Sequence, residues 1–471
     1  MIDLENFGEW YLDILEKADL IDSRYPVKGL TVIRPYGYQI RKQTLEIYTK
    51  LLEKEHEEVL FPTLIPESEL AKEGKHVKGF EDEVYWVTHG GKTPLNEKLA
   101  LRPTSESALY PMFSLWVRSH IDLPMKYFQV VNTFRYETKH TRPIIRVREI
   151  QTFAEAHTIH STKKEANEQV KTGIQLYKDL FDNMGIPYTI SKRPDWDKFP
   201  GADYTMAMDV LMPSGRTLQI GTIHNLGQTF AKTYDIIFEN KEGNHEHAYQ
   251  TCYGLSGRIL AALIGIHGDE KGLKLPPSIA PNQITLIPIL FKKGKEEVLN
   301  KCNQIKEQLE NSNIRTNIDT RDIRPGKKFF DWEIKGTPLR LELGPRDLEN
   351  NKVVLVRRDT LEKIELQIDD NLTTNIENIL KDITKTLKEN AWKTFEENIK
   401  TANTLNEITQ LIDEKNMVKF NWCGDEQCGK EIEEETNIDL LGINNDTEDE
   451  NTTCIHCGKP AKHIALIAKS Y

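Results

Sequence analysis

No apolar run in this sequence is long enough to cross a bilayer. The longest, Ile259–Ile266 and Ile284–Phe291, fall far short of the ~20 residues a spanning helix needs, which argues against a helical membrane protein. The first residues carry Asp3, Glu5 and Glu9 with no apolar stretch among them, so no secretory leader is expected and the chain reads as cytoplasmic. Cysteine is scarce, six in 471 residues, which excludes a disulfide-stapled scaffold. Cys252 and Cys302 stand alone and read as buried, inert thiols. The other four lie together near the end of the chain. Neither G-x-x-x-x-G-K-S/T nor a G-x-G-x-x-G following a strand occurs, so a nucleotide would have to be held without a phosphate-cradling glycine loop. An excess of positive charge is also missing. Lys and Arg number 62 against 73 Asp and Glu, for a net charge of −11, so nucleic-acid binding would depend on a local basic face. Arg321, Arg324, Lys327 and Lys328 could form one, followed by Arg340, Arg346, Arg357 and Arg358.

What is present suits a folded chain of about two to four domains. Residues 1–25 read as an amphipathic helix. Gln39–Glu57 carries an apolar stripe at helical spacing, Ile40, Leu45, Ile47, Tyr48 and Leu51, and leads into a short strand, Val59–Pro62. Lys126–Arg135 and Arg146–His157 read as strands flanking a charged loop. Thr162–Met184 reads as a helix, and Tyr204–Leu211 and Thr217–Gly221 as strands joined at Pro213-Ser214-Gly215. The proline-rich Gly272–Pro281 marks a domain boundary. Beyond it, strands at Gln283–Ile289, Ile314–Asp319, Leu339–Leu343 and Lys352–Val356, with a helix at Gly294–Ser312, predict a compact α/β domain. Asp369–Lys415 reads as mostly helical. The acidic, Asn-rich Glu431–Asn451 is expected to be loosely packed.

The chemistry concentrates in Phe134-Arg135-Tyr136-Glu137 and Arg146-Val147-Arg148-Glu149. Two charges two residues apart on a strand share a face, and the planar fork of arginine suits carboxylates and phosphates. A further arginine, Arg258, opens the apolar helix Ile259–Ile266 after Gly254-Leu255-Ser256-Gly257. Arg135, Arg146 and Arg258 together could neutralise ATP and a substrate carboxylate. In the tail, Cys423-x4-Cys428 and Cys454-x2-Cys457 have the spacing of a closed, structural tetrahedral zinc site. His456 or His463 could replace one ligand, although four cysteines are preferred.

These strings resemble the prolyl-tRNA synthetases of archaeal/eukaryal type, within the class II aminoacyl-tRNA synthetases, along nearly the whole chain. Motif 1 matches the helix ending at Val59-Leu60-Phe61-Pro62, motif 2 Phe134 through Arg146, and motif 3 Gly254–Arg258. Leu101-Arg102-Pro103-Thr104-Ser105-Glu106 and Leu218–Gln228 match between them. The resemblance implies an α/β (α+β) protein: an antiparallel-sheet catalytic core (1–275), an α/β anticodon-binding domain (282–385) and a small zinc-containing C-terminal domain (386–471). It implies ATP-dependent attachment of L-proline to tRNA(Pro) through prolyl-adenylate, with motif 1 building a homodimer. Arg135, Arg146 and Arg258 would be catalytic. Thr104, Glu106, Arg135 and His224 would bind proline, and Arg135, Glu137, Arg146, Gln219, Thr222, Ser256 and Arg258 would bind ATP. Cys423, Cys428, Cys454 and Cys457 would hold Zn2+. Phe80 and Phe153 are candidate apolar walls.

Two departures stand out. Phe153-Ala154-Glu155-Ala156-His157 replaces a Trp-x-Glu-x-His string, and Gln219 sits where many relatives place an acid for Mg2+, so Mg2+ is expected on ATP without a named protein ligand. The short stretch from His157 to Gln219 predicts no inserted editing domain. The resemblance implies that Tyr471 reaches back towards the catalytic site; chain-end physics alone equally allows a frayed terminus. The competing readings are a class II paralogue for another small amino acid, threonine or cysteine, and an RNA-binding protein with an inactive core. Intact Arg135, Arg146 and Arg258 weigh against the latter.

Overall fold

The computed structural model describes residues 6–74, 81–138, 140–291, 294–446 and 452–471. Phe80 lies outside them, as do residues 447–451. Among the described residues the largest unit is a sheet of 11 strands. Its central part runs Thr189–Lys192, Tyr204–Leu211, Thr217–Gly227, Tyr249–Ser256, Glu149–His160 and Met125–Phe134, each antiparallel to the next. Edge strand Glu57–Glu58 adds in parallel.

Antiparallel sheets can dedicate one face to a core and leave the other open to a ligand, and here the core face is covered by helices Pro35–Leu52 and Lys163–Met184. Tyr48, Tyr177, Phe181 and Tyr253 are essentially fully buried there. Tyr177 stacks on Tyr48 at 5.9 Å and on Phe181 at 5.6 Å, each ring contributing roughly 2–3 kcal/mol of burial. The second helix starts where the sequence says it should. Thr162 caps the Glu165 amide and Glu165 returns the bond, a reciprocal capping box. Gly185, at φ 64°, ends it in the left-handed conformation glycine tolerates best.

The expected strand at Val59–Pro62 is not a strand: pairing stops at Glu58. The buried side chain of Arg102 takes the place of a neighbouring strand, donating Nη1 to the carbonyls of Phe61 (2.9 Å) and Pro62 (3.3 Å) and Nε to Asn132 O (3.0 Å). The first helix is also shorter than predicted, Phe7–Lys17, because the chain turns at Asp19 (φ 64°) to pair Ile21–Asp22 with Val32–Ile33.

A second, 5-stranded sheet runs Thr316–Ile318, Ile284–Pro288, Leu339–Leu343, Lys352–Arg357 and Lys363–Gln367, parallel for the first three and antiparallel thereafter. Gly272–Pro281 joins it to the larger unit and is itself packed, with Leu273, Leu275 and Ile279 buried. Arg358, also buried, donates to both carboxylate oxygens of Asp269 at 3.0 and 2.5 Å. Burial raises the Asp269 carboxyl, but Arg358 and Lys274 overcome it and hold it at about 2.

The tail departs most from expectation. Glu431–Asn451 reads as loose, yet Glu426–Thr436 is a helix and Asp439–Asp446 a strand with Leu440 and Leu441 buried. That strand lies between His463–Ala468 and Thr189–Lys192, so the tail strands extend the large sheet. Composition reported the acids and asparagines; tertiary pairing supplied the partners that order them.

Candidate active site

The open face of the large sheet carries a cleft of about 350 Å³. Three neighbouring strands build its floor. Cross-strand register places Glu155 beside Gly254 and Gly254 beside Thr222; the next row is His157, Cys252 and His224. Phe153 lies opposite Ser256. Because side chains alternate along a strand, all these residues face one way. The cleft is lined by Thr104, Glu106, Arg135, Glu137, Arg146, Gln219, Thr222, His224, Ser256 and Arg258. The described residues expected to contact an amino acid or ATP therefore meet in one place.

One end is acidic and closely packed. Glu106 opens helix Glu106–Trp116 and is 3% exposed. It accepts from the Thr104 hydroxyl, and the Cys252 thiol lies 3.8 Å from its Oε1. Behind it, Glu155 accepts from Ser105 and from Gln129 Nε2 (2.9 Å) and faces His157 Nε2 at 3.5 Å. Burial opposes charge on both members of this pair. Their mutual attraction wins, lowering the Glu155 carboxyl and raising the His157 imidazole. His224 is different: burial, then the neighbouring His157, pushes its imidazole down to about 3, so it is neutral. Its Nδ1 meets Thr205 Oγ1 at 2.8 Å and its ring lies 4.6 Å from Phe199.

The other end is cationic. Arg258 sends Nε to Ile145 O (3.1 Å), and burial, then Arg135 and Arg146, lowers its guanidinium to about 10. Three partly buried arginines within mutual electrostatic reach are costly unless an anion arrives. Arg146 and the neighbouring turn are held by the tail, with Arg146 Nη2 donating to Tyr471 O (3.0 Å) and Arg142 lying over the Tyr471 ring. The turn passes through Ile144 at φ 67°, a strained conformation for a β-branched residue. Arg135 is within electrostatic reach of both ends: of Glu106, Glu83, Glu137 and Glu155, and of Arg258. Its Nε donates to Pro103 O at 3.2 Å. Arg135 and Glu137 fall just beyond strand Met125–Phe134 rather than on it. Arg148 stays out of the cleft, donating to Glu137 O and stacking on Tyr136 at 3.9 Å.

The comparisons with known proteins agree with this geometry. Residues 85–267 match the tRNA synthetase class II core domain (G, H, P, S and T), 283–379 the anticodon binding domain, and 405–471 the prolyl-tRNA synthetase C-terminal domain. The proline–tRNA ligase of Methanobrevibacter smithii is 64% identical over 468 residues, 99% of this chain and 100% of the relative. That of Methanothermobacter thermautotrophicus is 56% identical, covering 97% and 94%. The chain belongs to the proline–tRNA ligase family. It is an aminoacyl-tRNA synthetase of archaeal type. Among solved structures, the Giardia lamblia prolyl-tRNA synthetase in complex with prolyl-adenylate superposes with a TM-score of 0.96 at 39% identity, over 99% of each chain.

Sequence reasoning missed Cys252, Phe199 and Thr205 in this enzyme's cleft, and Ser105 and Gln129 behind it, which donate to Glu155. Cys252 is buried as expected, but against Glu106. Its signal was the alternation Cys252-x-Gly254-x-Ser256 leading into motif 3. The four tail cysteines do come together. Cys428–Cys454 and Cys457–Cys423 are each 3.6 Å apart, close to the ~3.8 Å sulfur–sulfur edge of a tetrahedron with 2.3 Å Zn–S bonds. The basic residues of the second sheet are largely committed inside the protein. Arg321 and Lys327 pair with Asp331, Arg340 with Glu342, Arg357 with Asp359, and Lys328 is buried against Asp319 O.

Proposed function

We propose that the acidic end of the cleft binds L-proline, the cationic end binds ATP, and Arg135 brings the two reacting groups together. The gathering of Glu106, Arg135 and Arg258 in one cleft carries this reading. The secondary ammonium of proline offers two protons, and Glu106, desolvated and already oriented by Thr104, is a matched acceptor. Neutral His224 and Phe153 would flank the ring. Arg135 would grip the proline carboxylate and the α-phosphate. A carboxylate oxygen then attacks phosphorus in line, the bond to the bridging oxygen breaks, and diphosphate leaves. Arg146 and Arg258 would hold the outer phosphates and stabilise the charge that builds on diphosphate. Glu137, Gln219, Thr222 and Ser256 would position the nucleotide. In the second step the terminal ribose hydroxyl of tRNA(Pro) attacks the adenylate carbonyl and AMP departs. Neither step requires an enzyme nucleophile, so positioning and electrostatics supply the rate. Mg2+ would accompany ATP, and the tail cysteines would hold a structural Zn2+ whose closed coordination leaves no position for substrate.

Diphosphate exchange into ATP, measured with each amino acid in turn, tests the assignment. Proline-dependent exchange is expected; exchange with cysteine alone, or none, would overturn it. Glu106→Gln is expected to raise the KM for proline about 10- to 100-fold, the worth of a charge-assisted bond, while leaving the KM for ATP within about twofold. Equal effects on both would remove Glu106 from the amino-acid end.

The working unit is proposed to be a homodimer in the cytoplasm. Among the described residues, no helix is long and apolar enough to cross a membrane. Around the Arg102-pinned strip, Leu60 is 80% exposed and Ile121 82%, with Leu64, Leu115 and Trp116 exposed as well, an apolar collection suited to a second copy of this chain. Leu60→Asp together with Ile121→Glu is expected to weaken self-association by at least about 100-fold. Sedimentation equilibrium would show monomer; an unshifted dimer would place the interface elsewhere.

A further inference from the structure

Glu106, His157 and Cys252 present a carboxylate oxygen, an imidazole nitrogen and a thiol whose ligand atoms all lie within 4.8 Å of one another, and all three residues are buried. Two come from adjacent positions of paired strands, His157 opposite Cys252. The third is fixed by the helix that Glu106 begins. A tetrahedral zinc centre has ligand–ligand edges of about 3.3–3.8 Å; the thiol is already 3.8 Å from Glu106 Oε1, and the remaining gaps close by about 1.5 Å at most, within reach of side-chain rotation. The mixture of sulfur, nitrogen and oxygen is selective. A thiol and an imidazole suit Zn2+ and Cd2+, whereas Mg2+ and Ca2+ prefer oxygen alone. Three protein ligands leave a fourth position open.

We infer that Glu106, His157 and Cys252 form a site for a thiophilic divalent cation, Zn2+ or Cd2+, that overlaps the amino-acid end of the cleft. The overlap rests on the assignment of proline to that end; the cation site does not. A cation coordinated by Glu106 occupies the carboxylate that the proline ammonium requires, so bound metal and proline exclude each other. The cleft would thereby respond to zinc independently of the four-cysteine cluster in the tail, which is closed and has no path to substrate.

Cadmium titration of the full-length protein, followed by thiolate-to-metal absorbance, is the direct test, with Cys252→Ser titrated in parallel so that uptake by the tail cancels. The wild type is expected to take up one equivalent more than Cys252→Ser, and saturating proline is expected to release that equivalent. In diphosphate exchange, Zn2+ should raise the apparent KM for proline at constant kcat, and its inhibition constant should rise at least about tenfold in Cys252→Ser. Equal cadmium uptake by wild type and by a Cys252→Ser variant of native melting temperature overturns the site. So does Zn2+ inhibition that is indifferent to both proline and the substitution. Should the serine variant fold poorly, His157→Gln must lose the same equivalent, and unchanged uptake there overturns the site equally. An extra equivalent in the wild type that survives saturating proline upholds the metal cluster and instead displaces proline from this end of the cleft.

Discussion

Arg135→Ala is expected to reduce kcat/KM for proline in diphosphate exchange about 1000-fold, with Arg135→Lys recovering no more than about tenfold. Removing one donor aimed at developing charge in a water-excluded site costs about 100- to 1000-fold. Arg135 is proposed to serve two charged partners, so the upper end applies, about 4 kcal/mol at 1.36 kcal/mol per decade. Lysine restores charge but not the planar fork that can engage a carboxylate and a phosphate at once. Alanine also removes a cation within electrostatic reach of Glu106 and Glu155, so the melting temperature must be measured beside the rate. A lysine variant with native stability and near-native activity would show that Arg135 balances buried acids and does not orient substrates.

Removing zinc from the tail is expected to unfold it and, through it, to disable the active site. A structural zinc centre contributes about 10–16 kcal/mol in small zinc-binding peptides, comparable to the whole stability of a typical domain, so the metal-free tail has little to hold it. The consequence is not local. Leu441 O accepts from Ser191 Oγ (2.9 Å) and Arg193 Nη1 (2.6 Å), Lys469 O accepts from the Thr217 amide (2.8 Å), and Tyr471 O accepts from Arg146 (3.0 Å). Loss of the tail uncovers the edge of the catalytic sheet and releases one of the three cleft arginines. The paired substitution Cys428→Ser with Cys457→Ser should yield a chain without zinc, cleaved by protease within residues 405–471, with exchange activity down at least about tenfold. Metal analysis finding no zinc in a wild-type chain whose tail resists protease would remove the claim.

How much of this was legible beforehand depends on the range of the interaction concerned. Helix Lys163–Met184 was read almost to the residue because its signals are local: a capping threonine, a glutamate three residues on, an apolar stripe and a terminal glycine. The Val59–Pro62 strip was misread because what decides it, the guanidinium of Arg102, is remote in sequence and near only in space. The ordered tail was misread for the same reason. Its acids and asparagines carry a disorder signature when isolated, and the strands they pair with lie as far away as Ser191. Gln129 and Ser105 escaped notice because both only support, Ser105 and Gln129 through Glu155 and Gln129 also through the Phe61 amide, and no spacing advertises a supporting hydrogen bond.

Read alone, the chain of residues pointed to the family: arginines in motifs 2 and 3, the Thr104–Glu106 string, His224 and four spaced cysteines are particular residue types whose donor and acceptor atoms are fixed by their covalent structure. Folding decided where that chemistry happens and what surrounds it. Strand register alone puts His157, Cys252 and His224 in one row, because a side chain's neighbours across a sheet are set by pairing and not by sequence distance. The same pairing carries the tail to Arg146, a juxtaposition of residues 325 positions apart that no local pattern encodes.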